Sequence, residues 1–204
     1  WSSDVCSSDL EAAEHFGCHR SPEQLLGLRG RRRPDCAAQV IHWMAAEGLE
    51  APTSEALLAI RQPIAEALLI HAKPTPGAVE LIDRCHQLAI PMALATSSSR
   101  DAVALKAGPH PWLAAITVRV HGDDPELKAG KPAPDVFLLA AERLGVEAQG
   151  CWAFEDSPAG AQAALAAGCG VWVVPPEHLS PAERKQMYPG VERFLGSLEE
   201  VGLD

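Results

Sequence analysis

The chain predicts an α/β fold: a Rossmann-like core of parallel strands, with a small helical subdomain ahead of it. Two observations predict this. From Leu10 to about Lys73 the apolar residues recur at helical spacing throughout. From Thr75 onward, helical stretches of ten or so residues alternate with short apolar runs. Alternation of that kind implies βαβ units and a parallel sheet, while an all-helical stretch implies a bundle.

In the first half, one helix ends near Phe16 and Gly17, and a short one runs from Pro22 to Leu28. A third is expected over Asp35 to Ala46, with Asp35 as its N-cap, apolar positions at Ala38, Ile41, Trp43 and Met44, and Gly48 closing it. A fourth runs from Ser54 to His71, where Pro63 is expected to kink or split it. In the second half, helices are expected over Val79 to Leu88, Ser99 to Lys106, Pro134 to Leu144 and Pro158 to Ala167. Between them Ile90 to Ala95, Ile116 to Val120, Cys151 to Phe154 and Val171 to Val174 read as buried strands. The tail from Pro175 to Asp204 is expected to lie at the periphery and pack on the sheet's edge.

Apolar content of 47% and a net charge of -10 are those of an ordinary acidic globule. That charge disfavours a nucleic-acid surface. No run of eighteen apolar residues occurs, so no membrane partner is expected. Cys18, Cys36, Cys85, Cys151 and Cys169 are scattered without a CxxC pair, which fits reduced thiols rather than a disulfide framework or a zinc site. These features suit a cytoplasmic protein, expected to be a monomer.

The first residues, WSSDVCSSDL, show neither helical nor strand period. They match the in-frame translation of a common short-read sequencing adapter from Trp1 to Leu10. Residues 1–10 are therefore set aside as an adapter-derived scar. The expected organisation of the rest is a helical subdomain over residues 11–74 and an α/β core over residues 75–204.

Ligands of open parallel sheets bind at the carboxyl ends of the strands, which directs attention to the residues after Ala95, Val120, Phe154 and Val174. After the first strand stands TSSSR, Thr96 to Arg100. Hydroxyls opening a helix suit a phosphate or another oxyanion, and equally suit a plain N-cap. After the second comes HGDDPELKAGKPAPDVF, where Lys131 is flanked by Gly130 and Pro132. A nucleotide P-loop would need Gly at position 125 and Ser or Thr at 132, where this chain has Pro125 and Pro132. Lys131 then reads as a fixed cation aimed at the strand ends, or as a solvated loop lysine. The third strand ends in FEDSPAG: Glu155 and Asp156 follow the apolar run, and Ser157 and Pro158 open the next helix. Partly buried carboxylates there must be paired or metal-bound, and Mg2+ is the natural guest for hard oxygen ligands beside a phosphate.

In this order the motifs resemble those of the haloacid dehalogenase superfamily of Mg2+-dependent phosphohydrolases, in the β-phosphoglucomutase-like branch that carries a helical cap. ALATSSSR is similar to the family's second motif, GKPAPD to the third and FEDSPAGAQAALAAG to the fourth, while PTPGAVELI resembles the return from cap to core. HGDDPELKAGKPAPDVFLLAAERL followed by FEDSPAG looks closest to the pseudouridine-5′-phosphatase-like group. The resemblance implies that Thr96 and the Ser97 backbone N–H bind the phosphoryl group and that Lys131 neutralises it. It implies that Asp156 ligates Mg2+ and that Glu155 holds the metal or its water. By the same resemblance Arg33, in the basic run RGRRR, is the cap residue that reaches the substrate; a solvated interhelical turn is the plainer reading of that run.

The family's first motif is an Asp-x-Asp on the first strand, giving the nucleophile that becomes an aspartyl-phosphate and the general acid/base. No Asp-x-Asp occurs in this chain, and Asp4 and Asp9 are not assigned its roles because no apolar strand precedes them. The expectation is a chain that is inactive alone, with the central strand missing and apolar edges exposed beside the gap. Its intact parent is expected to hydrolyse a small sugar phosphate or nucleoside monophosphate. Two alternatives stay open: a phosphosugar mutase, and a noncatalytic binding protein on the same fold.

Overall fold

The computed structural model describes residues 7–19 and 21–203. Residues 1–6 of the expected scar, Asp4 among them, lie outside the described residues. The remaining four belong to a helix, α1 (Ser7–His15), in which Ser8 and Asp9 are buried. α2 (Pro22–Leu28) opens on a capping box between Ser21 and Gln24, α3 spans Arg33–Ala46 and α4 spans Ser54–Leu69. Ala13, Cys18, Leu28, Val40, Met44 and Leu57 form the core these helices share.

Two details differ from expectation. α3 starts at Arg33 with Arg32 at the N-cap, and Asp35 lies within the first turn, where it accepts from Arg32 Nε at 2.9 Å. An acid there still faces the helix's positive end, so its sequence signature survives a two-residue offset. Pro63 lies inside α4 without dividing it; flanking turns packed against α1 and α3 carry the helix past the missing N–H.

The α/β half runs α5 (Ala78–Gln87), β1 (Ala93–Ala95), α6 (Arg100–Ala107), β2 (Val118–Val120), α7 (Asp135–Leu144), β3 (Trp152–Glu155), α8 (Pro158–Ala166), β4 (Gly170–Val173), α9 (Pro181–Met187) and β5 (Arg193–Phe194). All strand pairings are parallel: β1 with β2, and β3 with β4 with β5. The strands thus form two sheets, and one edge of β1 and one of β3 carry no partner strand among the described residues. α7 bridges the two, packing on β1, β2 and α8.

Residues 90–92 do not join β1; Ala89 takes φ 53° and Ile90 is 39% exposed. β3 is buried on one face only, with Ala153 inside and Trp152 63% exposed. Trp152 and Phe154 stack edge-on against Trp172 on the outer face. The apolar run that suggested a doubly buried strand is therefore an aromatic cluster on one face and alanine on the other. Opposite it the core is small: Ala153, Ala161, Ala164, Ala167 and Val173 let α8 lie close on the sheet. The tail closes the second sheet as expected, with β5 pairing with β4 and Leu195 and Val201 packing on Leu81.

Candidate active site

Three strand ends and one cap turn converge on a cavity of about 360 Å³. Its wall includes Thr96, Ser97, Lys131, Glu155 and Asp156, so every core residue that the sequence singled out is brought together.

Thr96 follows β1, and its N–H donates to Val120 O at 3.0 Å, which holds the turn against β2. Its Oγ1 accepts from Ser98 N at 3.1 Å, so the hydroxyl proton is left to point elsewhere. Ser97 Oγ donates to Gly30 O at 2.7 Å, tying core to cap, and what Ser97 retains for an oxyanion is its backbone N–H. Ser99 caps α6 by accepting from Ala102 N. The TSSSR run thus divides its labour: Ser99 caps α6, Ser97 holds the cap turn, and Thr96 lines the cavity.

Lys131 is 7% exposed, which rules out the solvated loop reading. The Lys131–Pro132 peptide bond is cis. Nζ lies between the two sheets, donating to Ala95 O at 3.2 Å and to Glu155 Oε1 at 2.5 Å. The carboxyl ends of β1 and β3 therefore lie at the same side of the molecule. Glu155 is fully engaged, its Oε2 accepting from Ser157 Oγ at 3.1 Å. Ser157 Oγ also accepts from Gly160 N at 3.0 Å, capping α8. A Cβ on Gly160 would run into the Glu155 carboxylate, so glycine makes the cradle in which that carboxylate sits.

Asp156 is the more open acid. Its backbone oxygen accepts from Tyr188 Oη at 2.8 Å, and its Oδ2 accepts from Arg29 Nη2 at 2.7 Å. Burial pushes the Tyr188 phenol up to about 12, so this anchor stays a donor through the physiological range. Asp156 is a hard oxygen donor in the cavity wall, which fits Mg2+, a cation that takes one or two carboxylates and completes its shell with water or phosphate oxygens. Glu155, expected to hold the metal or its water, has both carboxylate oxygens taken up by Lys131 and Ser157 instead. No group of three potential metal-ligating side chains occurs among the described residues.

From the cap, Arg29 and Arg31 line the cavity, whereas Arg33 does not; its Nη1 bonds Gln62 on α4 instead. Sequence reasoning fixed on one arginine of RGRRR and missed the two beside Gly30. Asp9, which no apolar strand precedes, was given no role from the sequence. It lies in the cavity wall, 3% exposed, and its carboxylate is bound by Arg61 at 2.6 Å. Desolvation holds its proton affinity above the usual carboxylate range, against the pull of Arg61.

Known proteins resemble this chain in sequence and in fold. A probable pseudouridine-5′-phosphatase of Drosophila melanogaster is 44% identical over 119 residues, covering 56% of this chain and 52% of that protein. Hexitol phosphatase A of Escherichia coli (strain K12) is 32% identical over 174 residues, covering 85% of this chain and 68% of that one. The chain spans about half the length of the Drosophila relative. In structure, it is similar to β-phosphoglucomutase from Clostridium difficile with a TM-score of 0.79 at 16% identity, covering 98% of this chain and 88% of that one, a likeness of fold. The profile of haloacid dehalogenase-like hydrolases matches residues 18–168, from just ahead of α2 through the FEDSPAG turn to just past α8. By that match and by the shared fold, the chain belongs to the haloacid dehalogenase-like hydrolase family.

Proposed function

We propose that this is the phosphate- and metal-binding body of an Mg2+-dependent phosphomonoesterase acting on a small phosphorylated metabolite, a sugar phosphate or nucleoside monophosphate, by way of an aspartyl-phosphate. One observation carries the reading: Thr96, Ser97, Lys131, Glu155 and Asp156, from separate stretches of sequence, share one cavity at the strand ends. Relatives named as a pseudouridine-5′-phosphatase and a hexitol phosphatase support the substrate class.

In this reading the Thr96 hydroxyl and the Ser97 N–H bind two phosphoryl oxygens, and the Lys131 ammonium, fixed by Ala95 O and Glu155, offsets their charge. Glu155 positions Lys131, and Asp156 holds the cation. When bound, Mg2+ supplies further neutralisation of the phosphoryl charge and orients it. The helical cap excludes water and selects the substrate. The enzyme works as a cytoplasmic monomer with reduced thiols. Since the sequence has no Asp-x-Asp, the 204-residue chain alone binds ligands without turnover.

The test supplies that strand. The chain is fused to the segment that precedes the matched region in hexitol phosphatase A, and inorganic phosphate release is followed on sugar phosphates and nucleoside monophosphates. Steady Mg2+-dependent release, absent in the unfused chain and abolished by Asp156→Ala, is the expected result. Turnover to an isomeric phosphosugar without release would sink the hydrolase in favour of a mutase. A folded fusion that binds phosphate and turns over nothing would leave a binding protein.

A further inference from the structure

The cap meets the core through a contact that neither the sequence motifs nor the proposed chemistry uses. Arg29 stands at the C-terminal cap of α2, and its side chain, 12% exposed, crosses to the tip of β3 to reach Asp156 Oδ2 at 2.7 Å. The contact is made through Nη2, while Nε is buried with no hydrogen-bond partner. It is therefore a one-pronged ion pair, short of the two-bond fork that makes arginine–carboxylate clamps strong.

The turn that carries it is tightly seated. Gly30 has φ 82°, a Cβ there would strike Ser157 Oγ, and Gly30 O accepts from Ser97 Oγ. Arg29 is thus brought to Asp156 by backbone placement as well as by charge. A guanidinium with a desolvated, unpartnered nitrogen is poorly compensated where it lies. It stands on the carboxylate that the proposed function gives to a divalent cation.

We infer that Arg29 and the divalent cation exclude one another at Asp156. Without a cation, Arg29 occupies the carboxylate and latches the cap turn to the core. When a cation of higher charge takes the carboxylate, repulsion at contact distance expels Arg29 and the 29–33 turn comes away from Ser157 and Ser97. Arg29 is in this sense a positioning residue that couples metal occupancy to the cap. The inference rests on the reading of Asp156 as a cation ligand.

Both halves can be read without turnover, using the full chain. Mn2+ binding is followed by electron paramagnetic resonance for the wild type, Arg29→Gln and Asp156→Asn, each checked for folding by circular dichroism. Arg29→Gln is expected to bind Mn2+ about tenfold more tightly, since it no longer has to displace a cation, and Asp156→Asn to lose binding. Equal or weaker binding by Arg29→Gln, with binding lost in Asp156→Asn, would overturn the latch and leave the metal site standing. Binding retained by Asp156→Asn would instead overturn the metal reading itself. Limited trypsin digestion supplies the second readout, because Arg31 and Arg32 offer cleavable bonds in the turn. Mg2+ should speed cleavage there in the wild type, and Arg29→Gln should be cut quickly with or without it. A wild-type rate indifferent to Mg2+ would mean that the turn does not move.

Discussion

Lys131 and Glu155 have side chains only 6% and 8% exposed, so each is the other's compensation for leaving water. Removing one member of a buried pair strands the other, at a cost of roughly 3–5 kcal/mol, whereas removing both together costs far less. Lys131→Ala should therefore lower urea stability by about that amount, and Lys131→Met with Glu155→Gln should recover most of it. No recovery in the double variant would mean that the pair is held by its surroundings rather than by each other. Asp124 makes a pH-dependent case. Its hydrogen bonds from Arg143, at 2.6 and 2.9 Å, hold its carboxyl below the ordinary value of 3.8 against the opposing effect of burial. A folded-state value below the unfolded one contributes stability fully at higher pH and loses it as pH falls from 3.8 through the folded value. Asp124→Asn should thus be less stable than wild type at neutral pH by a gap that closes in acid below 3.8; a gap unchanged at the acid end would exclude the ionic origin. Which residues meet in the cavity was legible where chemistry and strand position coincide, as at Lys131 and Asp156. It was not legible in RGRRR, because composition does not reveal which side of a turn faces the core. That depends on how the cap is docked, which the Gly30 contacts with Ser157 and Ser97 settle.

At the level of elements, helix ends were read well because their causes are local. Ser99 and Ser157 each accept from a backbone N–H of the first turn, and Gly145, with φ 72°, follows the expected end of α7 at Leu144. The helix α9 (Pro181–Met187), capped by Ser180, was not read in the tail. Strand edges were read less well. β1 is three residues long where the run from Ile90 to Ala95 suggested six, since pairing with β2 starts only at Ala93, past the turn at Ala89. That the strands fall into two sheets rather than one could not be read from any single run, because pairing is a long-range property. Two glycines of similar backbone separate local from tertiary cost. Gly145 has open space where a Cβ would go, so Gly145→Ala should cost about 1 kcal/mol, the price of a left-handed alanine. Gly30 combines φ 82° with a collision at Ser157, so Gly30→Ala should cost more and should also free the Arg29 turn to trypsin. Equal losses in urea melts would show that the cap turn adapts and that its seat on Ser157 carries little.

At the scale of the whole molecule, the two sheets are joined by α7 and by the Lys131 side chain at their common carboxyl end. A phosphate bound there would touch Thr96 and Ser97 from the first sheet, Lys131 between the sheets, and a cation on Asp156 from the second. Ligand binding to the folded state alone stabilises it by about 2.7 kcal/mol at a hundredfold excess over Kd. For a chain of this size that corresponds to a rise in Tm on the order of 5–10 °C. Because the ligand would span the gap, the added protection should be shared. Hydrogen exchange with Mg2+ and inorganic phosphate present should slow in both β1–β2 and β3–β4, with β1 and β2 gaining more, since their strands are short and mostly half-exposed. Lys131→Ala should abolish the shared effect while Mg2+ alone still protects the end of β3. Protection confined to one sheet would mean that the cavity binds its ligand from one side only, and that the convergence of Thr96 with Asp156 is a matter of proximity rather than of a single site.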